Sequence, residues 1–239
     1  MARDQFPNHP VVSHEQWLAA RTALLAKEKA FTHARDDLTR ARRALPWERV
    51  QKAYVFDGPN GKETLAELFA GRSQLLVYHF MFAPDWTDGC KHCSFWADHY
   101  DGAGIHLNHR DVTFAVVSRA PLAKIAAFKQ RMGWRFRWVS SAGTDFNYDY
   151  HVSFTPDEVR GGATFYNYEQ SDAGMEEREG LSVFSKDSAG AVFHTYSCYA
   201  RGIDMLNGTY NFLDLVPKGR DEDPDSPQSW VQYHDRYQG

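Results

Sequence analysis

The chain has 239 residues, 43% of them hydrophobic and 24% charged, with a formal net charge of -4. That length carries one elaborated domain, or two small ones, around a core that needs no disulfide staples, and the composition excludes extended disorder outside the ends. The charge offers no basic field to nucleic acid, and no run of about 18 uninterrupted apolar residues could span a bilayer.

The first ten residues, MARDQFPNHP, lack the basic region followed by an apolar run that a secretory leader needs, so a cytoplasmic location is expected. From Ser13 onward, HEQWLAARTALLAKEKAFTHARDDLTRARRAL alternates apolar and charged residues at helical spacing. This predicts a long helix with Ser13 as its N-cap, a break near Phe31 and an end at Pro46. Its apolar stripe is narrow, comprising Trp17, Leu24, Leu25, Phe31, Leu38 and Leu45. Either the main domain or a second copy of the chain would cover it, which makes a homo-oligomer through this helix one expected use.

Aromatic Tyr54–Phe56 and the turn Asp57–Gly61 read as a hairpin corner leading into a short helix, Thr64 to Phe69, ended by Gly71. Gln74 to Phe82 is a continuous apolar run bounded by turn signals, as expected of a central strand covered on both faces. The loop APDWTDG then delivers Cys90-Lys91-His92-Cys93, and a helix begins beyond it. Val112 to Ser118 reads as a second buried strand, Pro121 opens the helix LAKIAAFKQRM closed by Gly133, and FRWVSS reads as a third strand. After an irregular, aromatic-rich stretch from Asp145 to Tyr168, two β-runs flank the hairpin signal Asp187–Gly190. This order, βαβαβ followed by a hairpin, predicts a central mixed sheet with helices on both faces, the thioredoxin-like fold of the α/β class. Residues 1–50 would form a helical arm, 51–216 the domain, and 217–239 a polar, extended tail.

Three cysteines are too few for a disulfide framework, and a close pair in a reducing compartment points to redox or metal chemistry. A strand that runs into two cysteines, the second inside the first turn of a helix, has a chemical consequence. Unpaired backbone N–H groups and the positive end of the helix stabilise a thiolate at the first position. Cys90 is therefore the candidate nucleophile and Cys93, one turn on, the candidate resolving thiol. His92, when protonated, would add to the stabilisation of the thiolate. Trp86 is expected as a hydrophobic lid over the dithiol. His194, Tyr196 and Cys198 share one face of the last strand by the period-two rule, a strand expected at the sheet edge. The bland reading makes all three packed sheet residues; the sharper one lets them reach the dithiol, Tyr196 as a substrate contact and His194 as a ligand. Clustered aromatics from Trp134 to Tyr168 read as core packing, with a ligand pocket as the alternative.

On the stretches YHFMFAPDWTDGCKHCSFWAD (78–98), RDVTFAVVSRAPLAKIAAFKQRMGWRFRWVSS (110–141) and FHTYSCYARGIDMLNGTYNFLDLVPKGRDED (193–223), the sequence resembles a bacterial thioredoxin-like family catalogued as domain of unknown function 899. The resemblance covers nearly the whole chain and implies a thioredoxin-like fold with thiol–disulfide oxidoreductase activity at Cys90 and Cys93, without an established substrate. Two departures from ordinary thioredoxins stand out. The loop lacks Trp-Cys-Gly-Pro-Cys, and no proline precedes Leu181.

Three functional readings follow. The first is a dithiol oxidoreductase acting on an oxidised small-molecule or protein substrate with no bound cofactor. The second is a copper- or zinc-binding protein with Cys90, Cys93 and His194 as ligands, a soft donor set. The third is a small-molecule binding module with incidental thiols.

Overall fold

A computed structural model describes residues 9–172 and 174–238. The first eight residues, most of the stretch read above for a leader, lie outside the described part. The chain separates into two units, one of residues up to Pro46 with Phe212–Asp221, the other of Trp47–Asn211 with the residues from Glu222 on. Of the polar C-terminal segment, residues 217–221 fall in the first unit and the rest in the second.

In the first unit, helix α1 (His14–Arg43) starts at a capping box in which Ser13 Oγ accepts from the Gln16 N–H and Gln16 Oε1 accepts from the Ser13 N–H. Arg40, Arg42 and Arg43 lie in its last turn, where they complement the negative helix end. The helix runs unbroken through Phe31, since no Gly or Pro interrupts it, and none of its residues is buried.

The second unit is built on an eight-stranded sheet. Its strands are β1 (Glu48–Arg49), β2 (Val55–Gly58), β3 (Gly61–Thr64), β4 (Gln74–His79), β5 (Val112–Ser118), β6 (Arg137–Ser140), β9 (Gly180–Lys186) and β10 (Val192–Tyr199), in the order β1-β10-β9-β4-β5-β6-β2-β3. Parallel β4, β5 and β6 are joined through helices α3 (Lys91–Ala97) and α4 (Tyr100–Asn108), then α5 (Leu122–Arg131). β9 runs antiparallel to β4, and β10 antiparallel to β9. Those four strands, β5-β4-β9-β10, with the dithiol following central β4, are a thioredoxin-like core. The turn chemistry works as the sequence predicts: Gly61 and Gly190 take positive φ in the two hairpins, and Thr64 caps α2 (Leu65–Leu68) with Glu67.

Two expectations are corrected here. β10 is not an edge strand, because Glu48 and Arg49 of β1 pair with His194 and Phe193 and cover it. The stretch 145–168 is not irregular; it holds α6 (Phe146–Asp149), α7 (Pro156–Arg160) and β7 (Thr164–Tyr166), which pairs with β8 (Glu169–Ser171). Short elements of this length carry too little periodicity to be read.

One face of the sheet buries Leu75, Val77, Ala115, Val117, Val139 and Phe184 against Phe56, Leu68, Phe69 and Phe146. Each such aliphatic or aromatic side chain contributes about 1.5–3 kcal/mol of burial free energy. Tyr78, Phe80 and Trp138 serve the other face, with the Trp138 and Phe80 ring centroids 4.6 Å apart.

Candidate functional site

The end of β4 fixes the dithiol. Cys90 N–H donates to the Met81 carbonyl at 3.0 Å, so the loop returns to the strand end before α3 begins. Glycine is required just before it, since a Cβ on Gly89 would sit 2.7 Å from the Phe80 ring and 2.9 Å from that of Phe128. Cys90 occupies the N-cap of α3, its carbonyl accepting from both the N–H and the hydroxyl of Ser94 at 2.9 Å. Cys93, in the first turn, is buried, and the Met81 N–H points at its sulfur from 3.5 Å.

The two thiols are unequal. Cys90 is partly exposed, and its thiol is held well below the usual range. The largest cause is the hydrogen bond from the Cys93 thiol, with His92 and the Cys93 N–H adding to it, against the opposing effect of burial. Cys93 is pushed well above the usual range by burial first, then by its role as donor to Cys90 and the nearby charges of Cys90 and Glu179. The Glu179 carboxyl is itself raised, chiefly by burial and also by Cys90.

Cys90 and Cys93 open into a cavity of about 290 Å³ whose walls include Tyr78, Met81, Trp96, Met175 and Ile203 with Arg178, Glu179, Arg201, Asp204 and Gln228. Trp96 is fixed in this wall by its Nε1–H, which donates to the Ile203 carbonyl at 3.0 Å. The outer flank of α3 is covered by the C-terminal segment. The Tyr233 hydroxyl donates to the Gly89 carbonyl at 2.7 Å, His234 Nδ1 pairs with Asp98 at 2.6 Å, and Arg131 bridges Asp88 and Asp235. Val231 is fully buried. The segment's polar composition concealed this packing, although its Trp230, Val231 and Tyr233 were a visible signal.

His92 lines the cavity with the dithiol. Trp86 and Tyr196 are not among the lining residues. Trp86 is held instead near α5, its carbonyl accepting from Lys124 at 3.0 Å. His194 is on the opposite face of the sheet. A bulge pairs His194 with Phe184 but Tyr196 with Val183, so the two side chains point to opposite faces and period two fails between them. Tyr196 and Cys198 keep one face, Cys198 buried opposite Leu181. The His194 ring packs on Tyr150 and Phe184 and lines a separate cavity of about 440 Å³. The copper or zinc set Cys90, Cys93 and His194 is therefore not assembled. Among the described residues no group of three His, Cys, Asp or Glu side chains is arranged to hold a metal ion.

Sequence reasoning missed Glu179, Arg178 and Gln228, which come to the dithiol from the strand lead-in and the C-terminal segment. It also missed a buried polar chain on the other face. His79 Nε2 meets Ser182 Oγ at 2.8 Å, Ser182 meets Ser197 at 2.8 Å, and Ser197 meets His194 Nε2 at 2.7 Å.

Among the described residues no helix is long and apolar enough to cross a membrane. No curated protein matches the chain. Among solved structures it is similar to Peroxidoxin BcpB from Mycobacterium tuberculosis, at 13% identity and a TM-score of 0.46 over 69% of this chain and 95% of that one. It is similar to a Xanthomonas campestris Peroxiredoxin Q at 14% identity and a TM-score of 0.42, over 68% of this chain and 96% of that one. A hypothetical protein from Sinorhizobium meliloti 1021 is similar at 11% identity and a TM-score of 0.39, over 62% of this chain and 69% of that one. The sequence from residue 6 to residue 237 matches the bacterial protein family of unknown function DUF899, and the chain belongs to that family.

Proposed function

We propose that the protein is a thiol–disulfide oxidoreductase in which Cys90 is the nucleophile and Cys93 the resolving thiol. The observation that carries this reading is the inequality of the pair, a partly exposed thiol held low beside a buried one held high. The Cys90 thiolate attacks one sulfur of a substrate disulfide, forming a mixed disulfide as the substrate S–S bond breaks and one substrate thiolate leaves. Cys90 then no longer carries the charge that kept Cys93 protonated. Glu179, which lines the same cavity and whose charge acts on Cys93, takes the Cys93 proton in this reading. The Cys93 thiolate attacks Cys90 Sγ, expels the second substrate thiolate and leaves a Cys90–Cys93 disulfide. Two electrons pass to the substrate, and a second dithiol must return them.

The test is intact mass spectrometry after reaction with a disulfide. Cys93→Ser should accumulate the mixed disulfide at Cys90, wild type should end as the internal disulfide, and Cys90→Ser should do neither. A mixed disulfide trapped instead at Cys93 in Cys90→Ser, at the wild-type rate, reverses the assignment.

A further inference from the structure

Thiol–disulfide exchange places the attacked sulfur and the leaving sulfur in line with the attacking one, so both substrate sulfurs must come into the cavity that Cys90 lines. In a protein disulfide each sulfur is tied to a backbone that continues in two directions, with the two Cα atoms about 5.5–6 Å apart. Two chains would then have to enter together.

The cavity is small for two such chains. At about 290 Å³ it lies at the small end of the range for small-molecule sites, and its walls come from segments added around the thioredoxin-like core. One wall is the lead-in to β9 with Met175 and Glu179, a second the 3-10 helix Ala200–Leu206 with Ile203 and Asp204, and a third the C-terminal segment with Gln228. Bonds to the dithiol helix and its loop hold the last two walls in place. Trp96 donates to the Ile203 carbonyl, and Tyr233 donates to the Gly89 carbonyl, next to Cys90. Apart from the Cys90 thiolate itself, the charges on the walls are balanced, Arg178 and Arg201 against Glu179 and Asp204, so the walls add no strong field for a polyanion or polycation.

We infer that the dithiol acts on a low-mass disulfide with uncharged or zwitterionic arms, admitted to Cys90 through a cavity that protein disulfides cannot enter. This rests on the redox reading above and adds the substrate class to it. With L-cystine as the probe, the Cys90 thiolate attacks one sulfur and one cysteine leaves. Cys93 then displaces the second, so cystine is reduced to two cysteines as the dithiol is oxidised.

The experiment measures single-turnover oxidation of the reduced full chain by L-cystine and by a folded protein bearing a solvent-exposed disulfide. Iodoacetamide alkylation of Cys90 against pH is followed in parallel. Cystine is expected to react at least about tenfold faster than the protein disulfide, a difference of about 1.4 kcal/mol in barrier. Met175 is 41% exposed, so Met175→Trp should narrow the mouth without disturbing the core. It is expected to slow the cystine reaction severalfold while the alkylation midpoint stays in place. Equal rates for the two disulfides, or a cystine rate indifferent to Met175→Trp, overturn the inference yet leave Cys90 as the nucleophile. Failure of Cys90 to react with either disulfide, together with an alkylation midpoint in the ordinary thiol range, overturns the redox reading itself.

Discussion

Cys90 and Cys93 are the same chemical group one helical turn apart, and their environments separate them. The first is partly exposed and has donors that favour its thiolate; the second is buried, with only the Met81 N–H and Tyr78 turned toward its sulfur, and feels the charge of Glu179. In the proposed cycle Glu179 therefore bears on the second step more than the first. Glu179→Gln is expected to leave the initial attack by Cys90 within a factor of a few and to slow formation of the internal disulfide about tenfold or more, as general-base contributions usually do. Rapid-quench mass spectrometry reads both steps, and the pH profile of the second should move with the substitution. The dithiol motif announced itself in the sequence, whereas Glu179 did not. Nothing in the order Arg178-Glu179-Gly180 says that a strand lead-in far along the chain will face Cys93.

Elements explain why His194 and the dithiol never meet. Strands β4, β9 and β10 send Tyr78, Leu181 and Cys198 to one face and His79, Ser182, Ser197 and His194 toward the other, where the hydrogen-bonded chain runs. His79 is fully buried and stacks on Phe146 and Tyr150. Burial lowers its pKa to about 3, and burial likewise lowers that of His194. A folded-state histidine pKa below the unfolded one means that the unfolded chain takes up protons first. Stability from His79 is then fully present above about pH 6.5 and lost as the pH falls toward 3, by about 1.4 kcal/mol per pH unit. Denaturant unfolding between pH 7 and pH 4 should show this slope, and His79→Gln should flatten it. A slope unchanged in His79→Gln would place the acid sensitivity elsewhere.

For the whole second unit, the decisive feature is the C-terminal segment held against the dithiol helix. Arg131 is its main tie, bonded to Asp88 in the dithiol loop and to Asp235, with its guanidinium 4.9 Å from the Tyr233 ring centroid. These groups are partly exposed, so Arg131→Met is expected to cost only about 1–2 kcal/mol of global stability. Its larger effect should be local. Hydrogen exchange around Val231 and Tyr233 should quicken before that of β4 and β5, as expected of a segment that opens on its own. Uniform exchange across the unit would show that the segment has no separate opening.

The sequence by itself determined the thioredoxin-like core and the place of the dithiol. Those features rest on local signals: the apolar run of β4, the turn residues of the hairpins, and a helix that starts at Cys90. Only the tertiary structure decided what surrounds the dithiol. The bulge after His194 broke the two-residue alternation and sent that histidine to the far face. A polar segment became a wall because a few scattered apolar and aromatic residues outweighed its composition. Such contacts join residues far apart in the chain and leave no periodic trace, so folding assembled Cys90 with Glu179 and Gln228 where sequence order did not.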